Sequence, residues 1–309
     1  MSKTALFFPG QASQYVGMGR DLYESSDKVK ALYDLASSEI GADIAKISFE
    51  GPAEELKRTR FTQPAILLHA LGVLTILGDK LPAFDYACGH SLGEYAALAV
   101  TGAMTFEDAI RAVVKRAALM EDACQKNPGT MAAIMGLDFA QVEDICRRAS
   151  SKGVVIPANF NSNIQIAISG AIASVEEAVE LAREAKAKRA IILEVGGAFH
   201  SPLMEPARVG LQEYLKNLPI KNPSVPVVAN VTASSVMDAE DIRTLLVQQV
   251  TEPVRWSQTM DYLVKSGVTK VVEIGPGKVL SGLAKRDMKP EQMLNLDTLA
   301  DIESFAAGN

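Results

Sequence analysis

The chain is predicted to fold as an α/β protein. An α/β-hydrolase-like large domain with a parallel sheet is expected to carry an inserted, ferredoxin-like small domain. Three observations support this. A short buried strand leads into Gly89-His90-Ser91-Leu92-Gly93, and a helix follows directly. From Gly129 the pattern runs strand, helix, strand, strand, helix, strand, the order of the split β-α-β motif. The α/β patterning then resumes, with a helix near Pro202 and strands over residues 225–231 and 270–274.

Taken in order, Leu6-Phe7-Phe8 ahead of Pro9-Gly10 is a buried strand entering a tight turn. Helical patterns fill the chain to Gly78. The clearest is the apolar run after Thr62, with Thr62 as N-cap, Pro64 in the first turn and Gly78 as the stop. Residues 84–88 form the second strand. Thr105 with Asp108 caps the next helix, which runs to about Cys124. The inserted unit places strands at 130–135, 154–158, 165–169 and 190–195, and helices at 138–149 and 174–188. The large domain is therefore discontinuous, 1–126 with 197–309, around the small domain 127–196.

A length of 309 residues accommodates about two domains. Lys and Arg number 31 against 37 Asp and Glu, a net charge of −6, which argues against nucleic acid or an anionic membrane as partner. The 48% hydrophobic and 22% charged content is that of a compact globular protein. The longest nearly apolar stretch, residues 65–77, falls short of the ~20 residues that span a bilayer and reads as a core helix. No signal peptide is recognisable, so a cytoplasmic location is expected. The three cysteines are scattered without a CxxC pair, so neither disulfides nor a metal site is indicated.

The pentapeptide at 89–93 fits G-x-S-x-G, in which the glycines relieve crowding around a serine pushed out of a strained turn. Ser91 is therefore the candidate nucleophile, against a plain glycine-rich turn. The backbone N–H of Leu92, at a helix N-terminus, could donate to an oxyanion. Three histidines are available as base. His69 lies in the apolar helix, and His90 adjoins the serine and should leave in another direction. By elimination His200 is the best base, in a loop where the inserted domain returns to the first. Arg116 has Ala112, Val113, Leu119 and Met120 as helical neighbours, which places a guanidinium on an apolar stripe. An internal acid and a substrate carboxylate explain it equally well. Gly275-Pro276-Gly277-Lys278 lacks the Walker A spacing and reads as a tight strand-to-helix turn. Asn159, Gln248 and Gln249 are candidate polar supports.

Over essentially its full length the chain resembles the malonyl-CoA:acyl carrier protein transacylases. The resemblance rests on Phe8-Pro9-Gly10-Gln11-Ala12-Ser13-Gln14, Thr62-Gln63-Pro64-Ala65, Gly89-His90-Ser91-Leu92-Gly93-Glu94, Lys115-Arg116-Ala117-Ala118-Leu119-Met120, Ala198-Phe199-His200-Ser201, Pro253-Val254-Arg255-Trp256 and Gly275-Pro276-Gly277. It implies ping-pong transfer: Ser91, activated by His200, takes malonyl from malonyl-CoA and passes it to the phosphopantetheine thiol of holo acyl carrier protein for fatty-acid synthesis. The resemblance further implies an oxyanion hole from the Gln11 and Leu92 amides, a carboxylate clamp at Arg116, and orientation of His200 by the Gln249 carbonyl. Gln63, Met120 and Asn159 join the pocket or its support. Phe199 matches acyltransferases that prefer malonyl over methylmalonyl. No cofactor is implied, and a monomer is expected.

Two positions depart from the family pattern. Ala12 stands where Gly is usual, so the backbone there should tolerate a Cβ. Asn163 replaces a usual Pro, which should change local rigidity. Two other readings compete. A thioesterase or esterase would use the same serine and histidine but has no use for Arg116 in its acyl pocket. A silent carrier-protein-binding module would not need Ser91.

Overall fold

A computed structural model describes residues 2–308. It contains a six-stranded sheet and a separate four-stranded sheet. The first is built from β1 (Lys3–Phe8), β2 (Tyr86–Gly89), β7 (Val227–Val228), β8 (Ser235–Val236), β9 (Val268–Ile274) and β10 (Gln292–Leu296), in the order β10-β9-β1-β2-β7-β8. All its pairings are parallel except β7 with β8. The second contains β3 (Thr130–Met135), β4 (Val155–Ser162), β5 (Gln165–Gly170) and β6 (Arg189–Ile192), ordered β4-β5-β3-β6 and antiparallel throughout.

β1 reads as an unbroken apolar run because both of its faces are covered. Leu6 and Phe8 enter one core, whereas Ala5 and Phe7 enter the other with Trp256. The small sheet has its own core, in which Ile134 and Ile168 pack on Val142, Ile145, Val175 and Val179 from the helices Phe139–Ala149 and Ile172–Glu184. β4 runs four residues past its expected end. The cause is tertiary: Phe160 N donates to Val254 O and Val254 N to Ala158 O, both at 2.9 Å, which ties the small sheet to the segment ahead of helix Trp256–Lys265, whose Val254 packs in a core of the large sheet.

Helix Thr59–Leu77 begins three residues before the expected cap, with Arg58 as N-cap, so Thr62 and Pro64 lie inside it. Burial of Phe61, Thr62 and Gln63 in the core extends the helix through its proline. The expectation that this segment is too short to cross a membrane fails on length. The apolar helical window from Thr59 is long enough, but 83% of it is buried within the protein, so packing and not length makes it a core helix. Thr105 caps helix Phe106–Lys126 by accepting from Asp108 N. β8 and β10 have no counterpart in the sequence reading.

The turn at 89–93 is sterically closed. A Cβ on Gly89 would lie 2.0 Å from the Gly93 carbonyl carbon, and one on Gly93 would lie 2.2 Å from Phe8 O. Gly93→Ala should therefore destabilise the protein by about 1–3 kcal/mol or more. Gly282→Ala, at an exposed position of helix Val279–Asp287 with nothing within 4 Å of the new Cβ, should stabilise by about 0.4–1 kcal/mol. Urea denaturation midpoints of the two variants test this, and equal effects would refute the close approach.

Candidate active site

Three adjacent strands of the parallel sheet deliver polar groups at their carboxyl ends: Gln11 after β1, Ser91 after β2 and Asn230 after β7. Such ends are where α/β sheets collect ligands. Gln63 comes from helix Thr59–Leu77, Arg116 and Met120 from helix Phe106–Lys126, and Phe199 and His200 from the segment after β6. With Asn159 of β4 they line a cavity of about 270 Å3 between the two sheets, except for Arg116 and Asn230, which lie behind Ser91.

Ser91 has φ 51° and His200 φ 54°, both in the left-handed region. Ser91 Oγ lies 2.8 Å from His200 Nε2, and His200 Nδ1 lies 2.7 Å from the Gln249 carbonyl. A carbonyl only accepts, so Nδ1 carries the proton and Nε2 offers its lone pair to the serine hydroxyl. Gln249 is the C-cap of helix Ala239–Gln248, so its carbonyl belongs to the electron-rich end of that helix. Gln11 lines the cavity, and among the described residues the Gln11 and Leu92 amides donate to no protein acceptor.

Arg116 has no exposed surface. Nη1 donates to Gln63 Oε1 at 2.6 Å, while Nη2 donates to Ser91 Oγ at 3.0 Å and to Gln249 Oε1 at 2.9 Å. Nε has no partner, and among the described residues no carboxylate forms an ion pair with the guanidinium. The buried Glu94 is reached only through Gln249, whose Nε2 donates to Glu94 Oε2 at 2.8 Å. Burial pushes Glu94 up to about 7, opposed by the Asn230 and Gln249 donors and by Arg116. Burial first, and the Arg116 charge second, push His200 down to about 3.

His90 leaves the serine, as expected, and its Nε2 lies 2.9 Å from Asn161 Oδ1 while its ring packs on Trp256. His69 is wholly buried with Nε2 3.0 Å from Asp297 Oδ1. The Gly275-Pro276-Gly277 turn leaves no anion site at the helix it opens. Glu273 already accepts from Leu280 N at 3.0 Å and Ser281 N at 2.7 Å. Gln63 and Met120 meet at 3.6 Å (Nε2 to Sδ), and Phe199 is buried against the cavity. Ala12 corrects an expectation: its φ is 81°, a region that disfavours a Cβ, and its side chain is accommodated by exposure. Asn163 does more than soften a turn. Its N–H donates to Asp287 Oδ2 at 3.0 Å and its Oδ1 accepts from Ser257 Oγ at 3.2 Å, and a proline would lose the first bond.

The sequence reading missed Asn230, Asn161 and any role for Glu94. The available signal for Asn230 was an amide ending the buried run Val227-Val228-Ala229.

The fold and the site are those of an acyltransferase: the acyl transferase domain family matches residues 6–300. A "Malonyl CoA-acyl carrier protein transacylase" of Bacillus subtilis is 44% identical over 287 residues, covering 93% of this chain and 90% of that protein. One from Staphylococcus aureus is 39% identical over 306 residues, 99% of each. Among solved structures, a malonyl-transacylase in complex with a type II PKS acyl-carrier protein superposes with TM-score 0.94 at 37% identity over 100% of both chains. The acyl-carrier-protein-S-malonyltransferase of Bartonella henselae gives 0.93 at 38%, over 98% of each. The chain belongs to the malonyl CoA-acyl carrier protein transacylase family.

Because His200 is held neutral far below the ordinary 6.5, the free enzyme should keep this imidazole unprotonated under mildly acidic conditions. The expected kcat/KM profile for acyl transfer stays flat from neutrality down to about pH 5. Arg116→Gln removes the second cause and should raise the His200 pKa only partly, since burial remains. An acid limb centred near 6.5 in the unaltered enzyme would contradict this environment.

Proposed function

We propose that this protein transfers the malonyl group from malonyl-CoA to the phosphopantetheine thiol of holo acyl carrier protein, supplying extender units for fatty-acid synthesis. The observation that carries this is Arg116, a buried cation without a counter-ion among the described residues, 3.0 Å from Ser91 Oγ. A malonyl ester on that oxygen carries its free carboxylate only two carbons from the new bond. It can therefore fold back onto the guanidinium in bidentate fashion. A neutral acyl group would leave the charge unanswered, which disfavours the esterase reading. A longer diacid would overshoot.

In the first half-reaction His200 Nε2 takes the Ser91 proton as Oγ attacks the thioester carbonyl. The oxyanion is received by the Gln11 and Leu92 amides. As the C–S bond breaks, His200 returns the proton to the departing coenzyme A thiolate. The second half repeats these steps in reverse sense: the carrier-protein thiol loses its proton to His200, attacks the malonyl-serine carbonyl and regenerates Ser91. Gln249 holds the histidine through its carbonyl, so no triad carboxylate is required. Gln63 and Met120 shape the floor beside Arg116, and Asn159 lines the opposite wall. The Phe199 ring occupies the space an α-methyl group would need, which selects malonyl over methylmalonyl.

We also read the parallel-sheet layer as an α/β-hydrolase-like domain, 1–126 with 197–309. The antiparallel β-α-β-β-α-β unit, 127–196, is read as a ferredoxin-like insertion supported by its own core. The protein is read as a cytoplasmic monomer that uses no cofactor and has neither nucleic acid nor membrane as partner, in keeping with its net charge of −6 and three free cysteines.

Intact mass spectrometry after brief mixing with malonyl-CoA, methylmalonyl-CoA or acetyl-CoA tests the proposal. Malonyl-CoA should leave a stable adduct that Ser91→Ala abolishes, and Arg116→Ala should slow its formation by roughly 10²-fold. Equal labelling by acetyl-CoA, or steady release of free coenzyme A without an adduct, would overturn it.

A further inference from the structure

Asn230 has only 1% of its surface exposed, does not itself line the cavity, and has every polar group engaged. Its Oδ1 accepts from Ser91 N at 2.7 Å, and its Nδ2 donates to Gly89 O at 2.7 Å. Its backbone N donates to Glu94 Oε2 at 3.1 Å, and its backbone O accepts from Arg255 N at 3.0 Å.

We propose that Asn230 is a positioning residue for acyl transfer: its carboxamide clamps both sides of the turn that carries Ser91 and decides which amide faces the acyl oxygen. This rests on Ser91 being the nucleophile. Ser91 occupies a left-handed backbone conformation that a residue with a Cβ disfavours, so its neighbours must hold it there. The clamp does so from both directions, because one flat group accepts from the N–H of residue 91 and donates to the C=O of residue 89. No other side chain at position 230 does both at this length: aspartate lacks the donor, serine and threonine are too short, and alanine has neither group.

The clamp also sorts the amides. The Ser91 N–H is consumed by Asn230 Oδ1 and turned from the cavity, whereas the Leu92 N–H, one residue on, has no protein partner among the described residues. Loss of the carboxamide would free the Ser91 amide and let the turn relax toward an ordinary backbone angle, which would swing Oγ away from His200. Glu94 supports the clamp from behind, because its Oε2 takes both the Asn230 N–H and the Gln249 Nε2–H. One carboxylate thus seats the residue that holds the serine and the residue that holds the histidine.

The test uses the full-length protein and its Asn230→Asp and Asn230→Ala variants. Quenched-flow mixing with malonyl-CoA, read by intact mass, gives the rate constant and the amplitude of Ser91 acylation separately. A fluorophosphonate probe reports serine reactivity without any acyl specificity, and thermal melts report folding. Asn230→Asp should lower the acylation rate constant and the fluorophosphonate rate together by roughly 10²-fold, the scale expected of a misplaced nucleophile, with KM for malonyl-CoA unchanged and a cooperative melt. A merely structural residue would lower the amplitude and the melting temperature but leave the rate constant of the folded fraction intact, which would overturn the proposal. Should the variants not fold, hydrogen exchange in the unaltered protein decides. Strong protection of the Ser91 amide beside rapid exchange at Leu92 supports the clamp, and the reverse order overturns it. If the unaltered protein forms no Ser91 adduct with either reagent, the nucleophile assignment fails and the clamp's function with it. A labelled parent with equally fast variants sinks the clamp alone.

Discussion

A guanidinium with no exposed surface and, among the described residues, no counter-ion is the constraint around which the interior of this protein is arranged. Removing such a charge from water costs several kcal/mol. Three hydrogen bonds from Arg116, at roughly 1.5–3 kcal/mol each, offset that cost. Their acceptors are the side chains of Gln63, Ser91 and Gln249, which come from three different elements. Satisfying Arg116 therefore fixes the relative placement of the core helix, the serine turn and the segment that orients His200. The charge also reaches the base. It depresses the His200 imidazole, holds Glu94 lower than burial alone would place it, and leaves one nitrogen, Nε, without a partner.

Sterics supply the second constraint. Gly89 and Gly93 let the turn press against the backbone of β1 and of its own following helix, closer than any Cβ allows. Gly10 plays a similar part opposite His90, whose carbonyl would lie 2.6 Å from a Cβ there. Crowding at these three positions brings the ends of β1 and β2 together, which sets Gln11 on the same cavity as Ser91, with Leu92 next to the serine in the chain. Among the described residues neither the Gln11 nor the Leu92 amide has a protein acceptor, which carries an energetic cost in the resting protein.

The cavity itself exists because two sheets with separate cores meet along a short seam. Ala158 and Val254 pair through their backbones, and Asn163 ties the β4–β5 hairpin to Asp287 and Ser257 on the other side. These bonds fix how far the antiparallel sheet stands from the serine. The chain keeps Asn163 where it supplies both a donor and an acceptor, and it keeps Ala12 in a left-handed backbone where exposure spares the side chain a clash.

Much of this was legible in the sequence because the signals are local. The order of strands and helices, the mixed α/β class with its antiparallel inset, the glycines around Ser91 and the apolar stripe carrying Arg116 all follow from spacings of a few residues, where periodicity and turn chemistry act. The placement of His200 as the only histidine able to face Ser91 could be reached by elimination, since the chain offers three. Other features arose only when distant segments met. β4 outgrew its expected length because Val254 pairs with it, and the core helix began early because the core covered its first turn. Asn230 lies 139 residues from the serine whose amide it holds. Nothing in its local pattern distinguishes it from any polar residue ending a strand. Whether Arg116 would meet an internal acid or stand unpaired was likewise undecidable from the stripe it sits on. Periodicity determines which face a side chain occupies, but only the packed tertiary structure determines what occupies the space across from it.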